Sequence, residues 1–306
     1  MSTAWVAGGV RGRSLIRRRL GRTGARAVAT SPSLELAIDQ LVRSPYVHDV
    51  RVGQSLAEAQ RAVSATALWH IRVLAGWLPR GGAEVVRTLA GGWEIANVAL
   101  VLASMRAAAP VAPYELGALA TIPRRLLSAS APSDVRRSLV VSAWGDPDTD
   151  EPSELLSWMR LRWGERVAAA VPGASDWAAG YLALVVAREL FVEGRRPGRR
   201  RWPAWPLGTG WEKASSIPDF ARRVAPPARW TLAGVEDGAG LWSAEARSRS
   251  AIEQAALERQ NHSRPGSPED VVASVALLGV DAWRTRAALE VASRGGQEIE
   301  AFDALG

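Results

Sequence analysis

The chain has 306 residues, a formal net charge of +7 and no cysteine. That length is enough for a large buried core, and the lack of cysteine excludes disulfides, thiol nucleophiles and thiolate sites for zinc or iron–sulfur clusters. Arginine carries almost all of the positive charge, since Lys213 is the only lysine. Such charge is typical of proteins that bind nucleic acid or an acidic surface, although a merely solvated Arg-rich surface gives the same count.

The N-terminal segment, residues 4–29, alternates small apolar residues with arginines and predicts a helix interrupted near Gly21 and Gly24. Its charges follow a short apolar stretch instead of preceding one, so we expect no targeting peptide. The longest uncharged apolar run, residues 95–105, is too short to cross a bilayer.

Two helices with clear start signals come next. Ser33 is a predicted N-cap for a short amphipathic helix that stops before Pro45. The capping-box sequence from Ser55 to Glu58 opens a longer helix that stops at Pro79.

Two apolar helices have similar sequences and predict an internal repeat. They are WEIANVALVLASMR (93–106) and WAAGYLALVVAR (177–188), whose first tryptophans are 84 residues apart. Between them lie the segment 114–128, a predicted short helix after Ser133, an acidic turn, GDPDTDEPS, and a predicted helix over 153–166.

The C-terminal part of the chain also reads as helix. A short helix at Trp211, a break at Pro226 and Pro227 and a helix over 241–260 lead to a long helix over 267–296. The first half of this long helix is apolar almost all round, which predicts burial. Its second half is amphipathic, with three charged residues on one side: Arg284, Arg286 and Glu290.

No segment has the period-two alternation of a strand, so we predict an all-α protein. Three pseudo-repeated helical units would span 1–112, 113–194 and 211–306, with an Arg/Pro-rich link at 195–210. Units of this size, each stacked on its neighbour, would form a curved, funnel-like body.

The sequence nominates no catalytic group. The three histidines lie far apart without metal-binding spacing, and the acidic run at 146–151 lacks the glycine and the final glutamate of a calcium loop. The glycine-rich pieces match no phosphate loop. We therefore predict no catalytic residue, no cofactor and no metal, while an enzyme with scattered carboxylates stays open as a class.

Two Arg-rich segments remain as interaction signals, and the second is interleaved with tryptophan. Arginine with tryptophan suits a phosphate backbone with stacked bases, or an acidic protein surface with two aromatic anchors. A solvated loop is the third interpretation. The candidate partner-binding residues are Arg11, Arg13, Arg17, Arg18, Arg199, Arg200, Trp202 and Trp205.

Taken in order, these segments resemble the central-stalk adaptor family of rotary ATPases, which occurs in both the A-type and the V-type enzymes. AWVAGGVRGRSLIRRRL is similar to the opening of that family, and SLELAIDQLVRSPY to its short helix with a Thr/Ser-x-Tyr stop. WEIANVALVLASMR resembles the family's repeated helix, with Glu94 and Asn97 in the usual acidic and Asn places.

The C-terminal helix pair resembles the closing pair of the same family, with Asp281 at the usual Glu and Arg286 at the later Arg. The second copy of the repeated helix departs from the pattern, because Ala178 and Tyr181 replace the acid and the Asn. The Arg/Pro-rich link also has no counterpart in the family pattern.

The resemblance implies a three-lobed helical funnel between the membrane proteolipid ring and the central shaft of a rotary ATPase, where it takes part in hydrogen-ion or other ion transport without catalysis. The implied partners are the proteolipid ring and the proteins of the shaft. It implies a cytoplasmic protein, peripheral on the cytoplasmic face of the membrane, without cofactor, small-molecule substrate or nucleic acid. An Arg-rich helical nucleic-acid-binding protein is the alternative.

Overall fold

A computed structural model describes residues 3–106, 112–195 and 205–304. Within these ranges the chain forms helices, turns and loops and no strand, which confirms the predicted all-α class. The helices are α1 (Thr3–Arg17), α2 (Gly21–Ala29), α3 (Leu34–Leu41), α4 (Leu56–Gly76), α5 (Arg80–Leu89), α6 (Gly91–Ser104), α7 (Pro132–Val140), α8 (Pro152–Ala170), α9 (Ser175–Phe191), α10 (Ile217–Arg223), α11 (Pro226–Arg229), α12 (Gly240–His262), α13 (Pro268–Ser293) and α14 (Ile299–Asp303).

The predicted caps open the predicted helices. The Ser33 hydroxyl accepts from the Leu36 amide at the start of α3, and Ser267 caps α13 in the same way. Ser55 and Glu58 form a complete capping box at the start of α4. Local side-chain chemistry therefore sets these helix starts, which explains why sequence reasoning located them.

The segment 114–128 forms two 3₁₀ turns, Gly117–Leu119 and Arg124–Ser128, because Pro123 restricts the residue before it and Gly117 has a φ of 56°. Two predicted breaks differ in detail from the structure. Gly24 lies inside α2, so the single break there falls just before Gly21. The break predicted at Pro226 and Pro227 falls at residues 224–225, between α10 and α11, and the two prolines begin α11, since proline is tolerated in a first turn.

The chain divides into two compact units: unit 1 comprises Met1–Val86 and Arg249–Gly306, and unit 2 comprises Arg87–Ser248. These boundaries are not those of the three predicted units. The threefold repeat and the funnel stay predictions.

Unit 1 is organised around α13, of which 17 of 26 residues are buried, and which contacts α1, α2, α3 and α4. Glycines in α1 allow the close approach: a Cβ on Gly9 would lie 2.1 Å from the Gly266 amide nitrogen, and one on Gly12 would lie 2.7 Å from the Ser274 hydroxyl. The burial predicted for the first half of α13 is confirmed. Arg284, predicted on the polar side of the second half, is instead buried.

Unit 2 contains two cores. In one, α6, α7 and α8 surround Trp144, and in the other, α9 and α10 pack around Trp211 and Phe220. Helices α8 and α9 pack against each other.

In the described part of the chain, no helix taken alone has the length and hydropathy needed to span a membrane. Helices α5 and α6 reach that measure only as a bent pair.

Candidate partner-binding surface

The N-terminal arginines are the first candidate surface. Seven arginines occur before the first acidic residue, Glu35. Three of them form ion pairs with carboxylates from the C-terminal part of unit 1: Arg13 with Asp270 at 3.1 Å, Arg22 with Glu253 at 2.9 Å and Arg26 with Asp303 at 2.9 Å. Part of the basic charge therefore holds α1 and α2 against the C-terminal helices.

Arg13, a predicted partner-binding residue, is directed into unit 1. Its Nε donates to both carboxylate oxygens of Asp270, at 3.1 and 3.3 Å, and its Nη2 donates to the Ser263 carbonyl at 2.9 Å. Asp270 is fully buried and also accepts the Gly266 amide. Arg13 is thus engaged in packing α1 on α13.

Arg11 is half-buried. It lies close enough to His70 that its charge contributes to the lowered pKa of that histidine, for which burial is the main cause. His70 lies on α4, so Arg11 belongs to the contact between α1 and α4 and offers little surface to a partner.

Arg17 and Arg18 are different, because both are exposed and neither forms an ion pair with any residue that the structure describes. They lie at the C-terminal end of α1, where the helix dipole favours cations. Of the four N-terminal candidates, these two are the ones available to an acidic partner.

The link supplies one described candidate. Trp205 is 57 % exposed, and the chain just after it is fixed by a hydrogen bond from the Ala225 amide to the Leu207 carbonyl at 2.8 Å. Arg199, Arg200 and Trp202 lie outside the described residues. Trp205 belongs to unit 2, whereas the candidates of α1 belong to unit 1.

A buried acid on α13 organises unit 1. Asp281 accepts hydrogen bonds from the backbone amides of Leu20 at 3.2 Å and Gly21 at 2.7 Å, and from the Tyr46 hydroxyl at 2.8 Å. Burial raises the pKa of Asp281, although these donors partly oppose the shift. The acid thereby anchors the start of α2.

A second buried acid, on α6, makes a similar network in unit 2. Glu94 accepts from the amide and hydroxyl of Thr121, from the Ile122 amide at 2.9 Å and from the Trp144 indole nitrogen at 2.8 Å. Every carboxylate oxygen of Asp281 and Glu94 therefore accepts at least one hydrogen bond. This arrangement suits the two acids to positioning the segments that donate to them.

The aromatic donors to the two acids lie in matching local structures. Ser44 donates to the carbonyl oxygen three residues earlier at 2.7 Å and accepts the Tyr46 amide at 3.1 Å. Ser142, 98 residues later, donates to the equivalent carbonyl at 2.7 Å and accepts the Trp144 amide at 3.2 Å. Sequence reasoning missed this match, although LVRSPY and LVVSAW carry it.

The described residues contain no group of three His, Asp or Glu side chains that could hold a metal ion. In the acidic run, Asp146 and Asp148 instead bind Arg136, at 2.8 and 3.1 Å. The described residues thus form an all-helical structure with buried polar anchors, and their exposed interaction candidates are the pair Arg17 and Arg18 and the single Trp205.

No model of a known protein family matches the chain, and no curated protein matches its sequence.

Proposed function

We propose that this protein is a non-catalytic central-stalk adaptor of a rotary V/A-type ATPase, which couples the membrane proteolipid ring to the central shaft during ion transport. The proposal rests on the resemblance of ordered segments across the chain. The observation that carries it furthest is the matched pair of networks, in which an acid on a long helix binds two consecutive amides and an aromatic donor.

The matched networks support a body built by duplication of one helical unit. The Asp281 network joins α13 to the start of α2, 260 residues earlier, and the Glu94 network joins α6 to the loop at Ile122, 28 residues later. Cross-links of this kind make each unit stiff, and an adaptor that transmits torque has to be stiff.

Arg17 and Arg18 are the contact that this function would use. Two exposed arginines without an ion-pair partner among the described residues can form bidentate hydrogen bonds with carboxylates on a shaft protein. The same guanidinium groups also fit the phosphates of nucleic acid, so the test must separate the two partners.

The experiment is gentle detergent extraction of host membranes that contain the tagged protein, followed by identification of the co-purifying proteins. We expect proteolipid and shaft proteins with the native chain. The double reversal Arg17→Glu and Arg18→Glu should lose the shaft proteins. The control is the double reversal Arg43→Glu and Arg160→Glu, which changes the net charge equally at two other exposed arginines and should retain them.

Recovery from the soluble fraction alone would overturn the proposal. So would recovery with DNA or RNA that is released by salt, since phosphate contacts weaken steeply as salt rises. That second result would establish the nucleic-acid alternative.

A further inference from the structure

A cleft of about 300 Å³ opens on the surface of unit 2, between the 3₁₀ turn Arg124–Ser128 and α7. Its lining residues are Arg125, Ser128, Ala129, Asp134, Arg137 and Ser138. Both arginines are exposed, and three of the other four residues have small side chains, which leaves the space open. This volume is at the small end of the range for ligand sites in proteins, so the cleft has room for a small molecule.

The two arginines are held at this cleft from opposite sides. Arg125 Nη2 donates to the Arg137 carbonyl at 3.3 Å, so the side chain from the 3₁₀ turn reaches across to α7. Arg137 forms an ion pair with Asp134, one turn earlier on α7. Each guanidinium group is therefore positioned by one contact within the chain.

Both guanidinium groups keep donors that the chain does not use. Arg125 and Arg137 each donate through Nη2 alone, which leaves Nε and Nη1 of both groups without an acceptor among the described residues. The Arg137 side chain is 68 % exposed and Arg125 is exposed as well, so these N–H groups are accessible from solvent. Guanidinium groups with accessible N–H pairs are the preferred protein donors to oxyanions.

Asp134 is the one acidic residue of the lining, and its carboxylate is already engaged. Its Oδ2 accepts from the amides of Ser130 at 2.9 Å and Ala131 at 3.0 Å, and its Oδ1 accepts from Arg137. The hydrogen bonds from the two amides are the main cause of the lowered pKa of Asp134. This carboxylate thus orients Arg137, and the two arginines leave the lining with a net positive charge.

We propose that this cleft binds a small anion of the phosphate type, either inorganic phosphate or a phosphate monoester. A single carboxylate has two acceptor oxygens, which one guanidinium fork satisfies, whereas a phosphate group has enough oxygens for two forks. Two arginines at one cleft therefore favour phosphate. The site lies in unit 2 and uses neither Arg17 nor Arg18, so it is independent of the proposed shaft contact.

The test is calorimetric titration of the intact protein with inorganic phosphate, with glycerol 1-phosphate and with acetate, each compared with sodium chloride at equal ionic strength. We expect saturable binding of at least one of the two phosphates, and the tighter one identifies the ligand as the free anion or the ester. Arg125→Gln and Arg137→Gln should each weaken this binding about tenfold or more, since each removes charge-assisted hydrogen bonds. Arg124→Gln removes the same charge at a neighbouring exposed arginine outside the cleft lining and should bind as the native chain does.

Ser128→Leu is a second variant, which changes the volume of the cleft without changing its charge. Ser128 is exposed and its hydroxyl donates to the Arg125 carbonyl at 2.9 Å, so thermal unfolding should stay near that of the native chain. The leucine side chain should occupy part of the cleft and weaken phosphate binding about tenfold or more. The proposal is overturned if neither phosphate gives more heat than sodium chloride, if acetate binds as tightly as the phosphates, or if Arg124→Gln weakens binding as much as the cleft variants do.

Discussion

The buried ion pair between α12 and α13 allows a stringent test of the packing of unit 1. Arg284 donates to both carboxylate oxygens of Glu253, at 3.0 and 2.8 Å, and the two side chains are only 2 % and 4 % exposed. Arg22 also donates to Glu253, at 2.9 Å, but its side chain is 54 % exposed. One carboxylate thus has a buried partner and an exposed partner.

The expected costs differ sharply between the two partners. Glu253→Gln leaves the Arg284 charge buried and uncompensated, which costs about 3–5 kcal/mol of unfolding free energy, and Arg284→Met should cost a similar amount. Arg22→Ala should cost about 0–1 kcal/mol, because an exposed ion pair contributes little in water.

Replacement of both buried partners distinguishes the cost of an uncompensated buried charge from the cost of lost packing contacts. A double variant with Glu253→Leu and Arg284→Met removes both charges and fills the space with apolar groups. Its stability should be within about 2 kcal/mol of the native chain, far better than the sum of the single changes. Urea titration followed by circular dichroism measures these differences as shifts of the midpoint.

The pH dependence supplies a second readout. Burial alone would raise the pKa of Glu253, but the hydrogen bond and charge of Arg284, with a smaller contribution from Arg22, lower it. A carboxyl group with a lowered folded-state pKa stabilises the fold above its ordinary value of 4.5, and that stability is lost as the pH falls through the folded-state pKa. Glu253→Gln should therefore lose less stability than the native chain on acidification below about pH 4.5.

Two results would refute the assignment of Arg284 and Glu253 as a buried, mutually compensating ion pair. One is a double variant whose loss of stability equals the sum of the losses in the single variants, and the other is a loss in Arg22→Ala as large as that in Glu253→Gln.

Two further predictions concern unit 1. Gly9→Ala places a methyl group against the backbone of Gly266 and should lower the unfolding free energy by about 2 kcal/mol or more. Gly279→Ala lies within α13 with no atom within 4 Å of the new methyl group, and it should raise the unfolding free energy by about 0.5–1 kcal/mol. Thermal unfolding compares the two variants, and equal effects would contradict the close packing of α1. Burial raises the pKa of Asp281, so the contribution of this carboxyl group to stability falls as the pH rises from 3.8 through its folded-state pKa. The urea midpoint of Asp281→Asn should therefore move closer to that of the native chain as the pH rises across that window. A constant difference between the two midpoints would show that Asp281 titrates normally.

The start of a helix could be predicted from the sequence wherever residues close together in the chain determine it. The caps at Ser33, Ser55 and Ser267 use contacts within four residues, so the sequence alone contains them. The segment 114–128 offers no such local signal, and its two 3₁₀ turns follow from Pro123 and the positive φ of Gly117, which restrict the backbone.

The candidate surface could be predicted only in part, because burial depends on residues distant in sequence. Arg13 and Arg17 are four residues apart on α1 and look equivalent in the sequence. Only the fold reveals that Asp270, 257 residues after Arg13, is buried beneath it, whereas Arg17 remains exposed. The burial of Arg284 could not be predicted for the same reason, since its partner Glu253 lies on another helix.

The use of arginine in place of lysine changes what the net charge means. Arg284 binds a buried carboxylate through two nitrogens, and Arg188 and Arg249 lie over tryptophan rings at 4.4 and 4.6 Å. A lysine ammonium has neither the planar fork nor the flat face that these contacts require. Much of the basic charge therefore serves packing within the chain, and a count of +7 overstates the surface available to a partner. Arg17 and Arg18 are exposed and make no ion pair with any described residue, and for that reason the proposed function is best tested at these two positions.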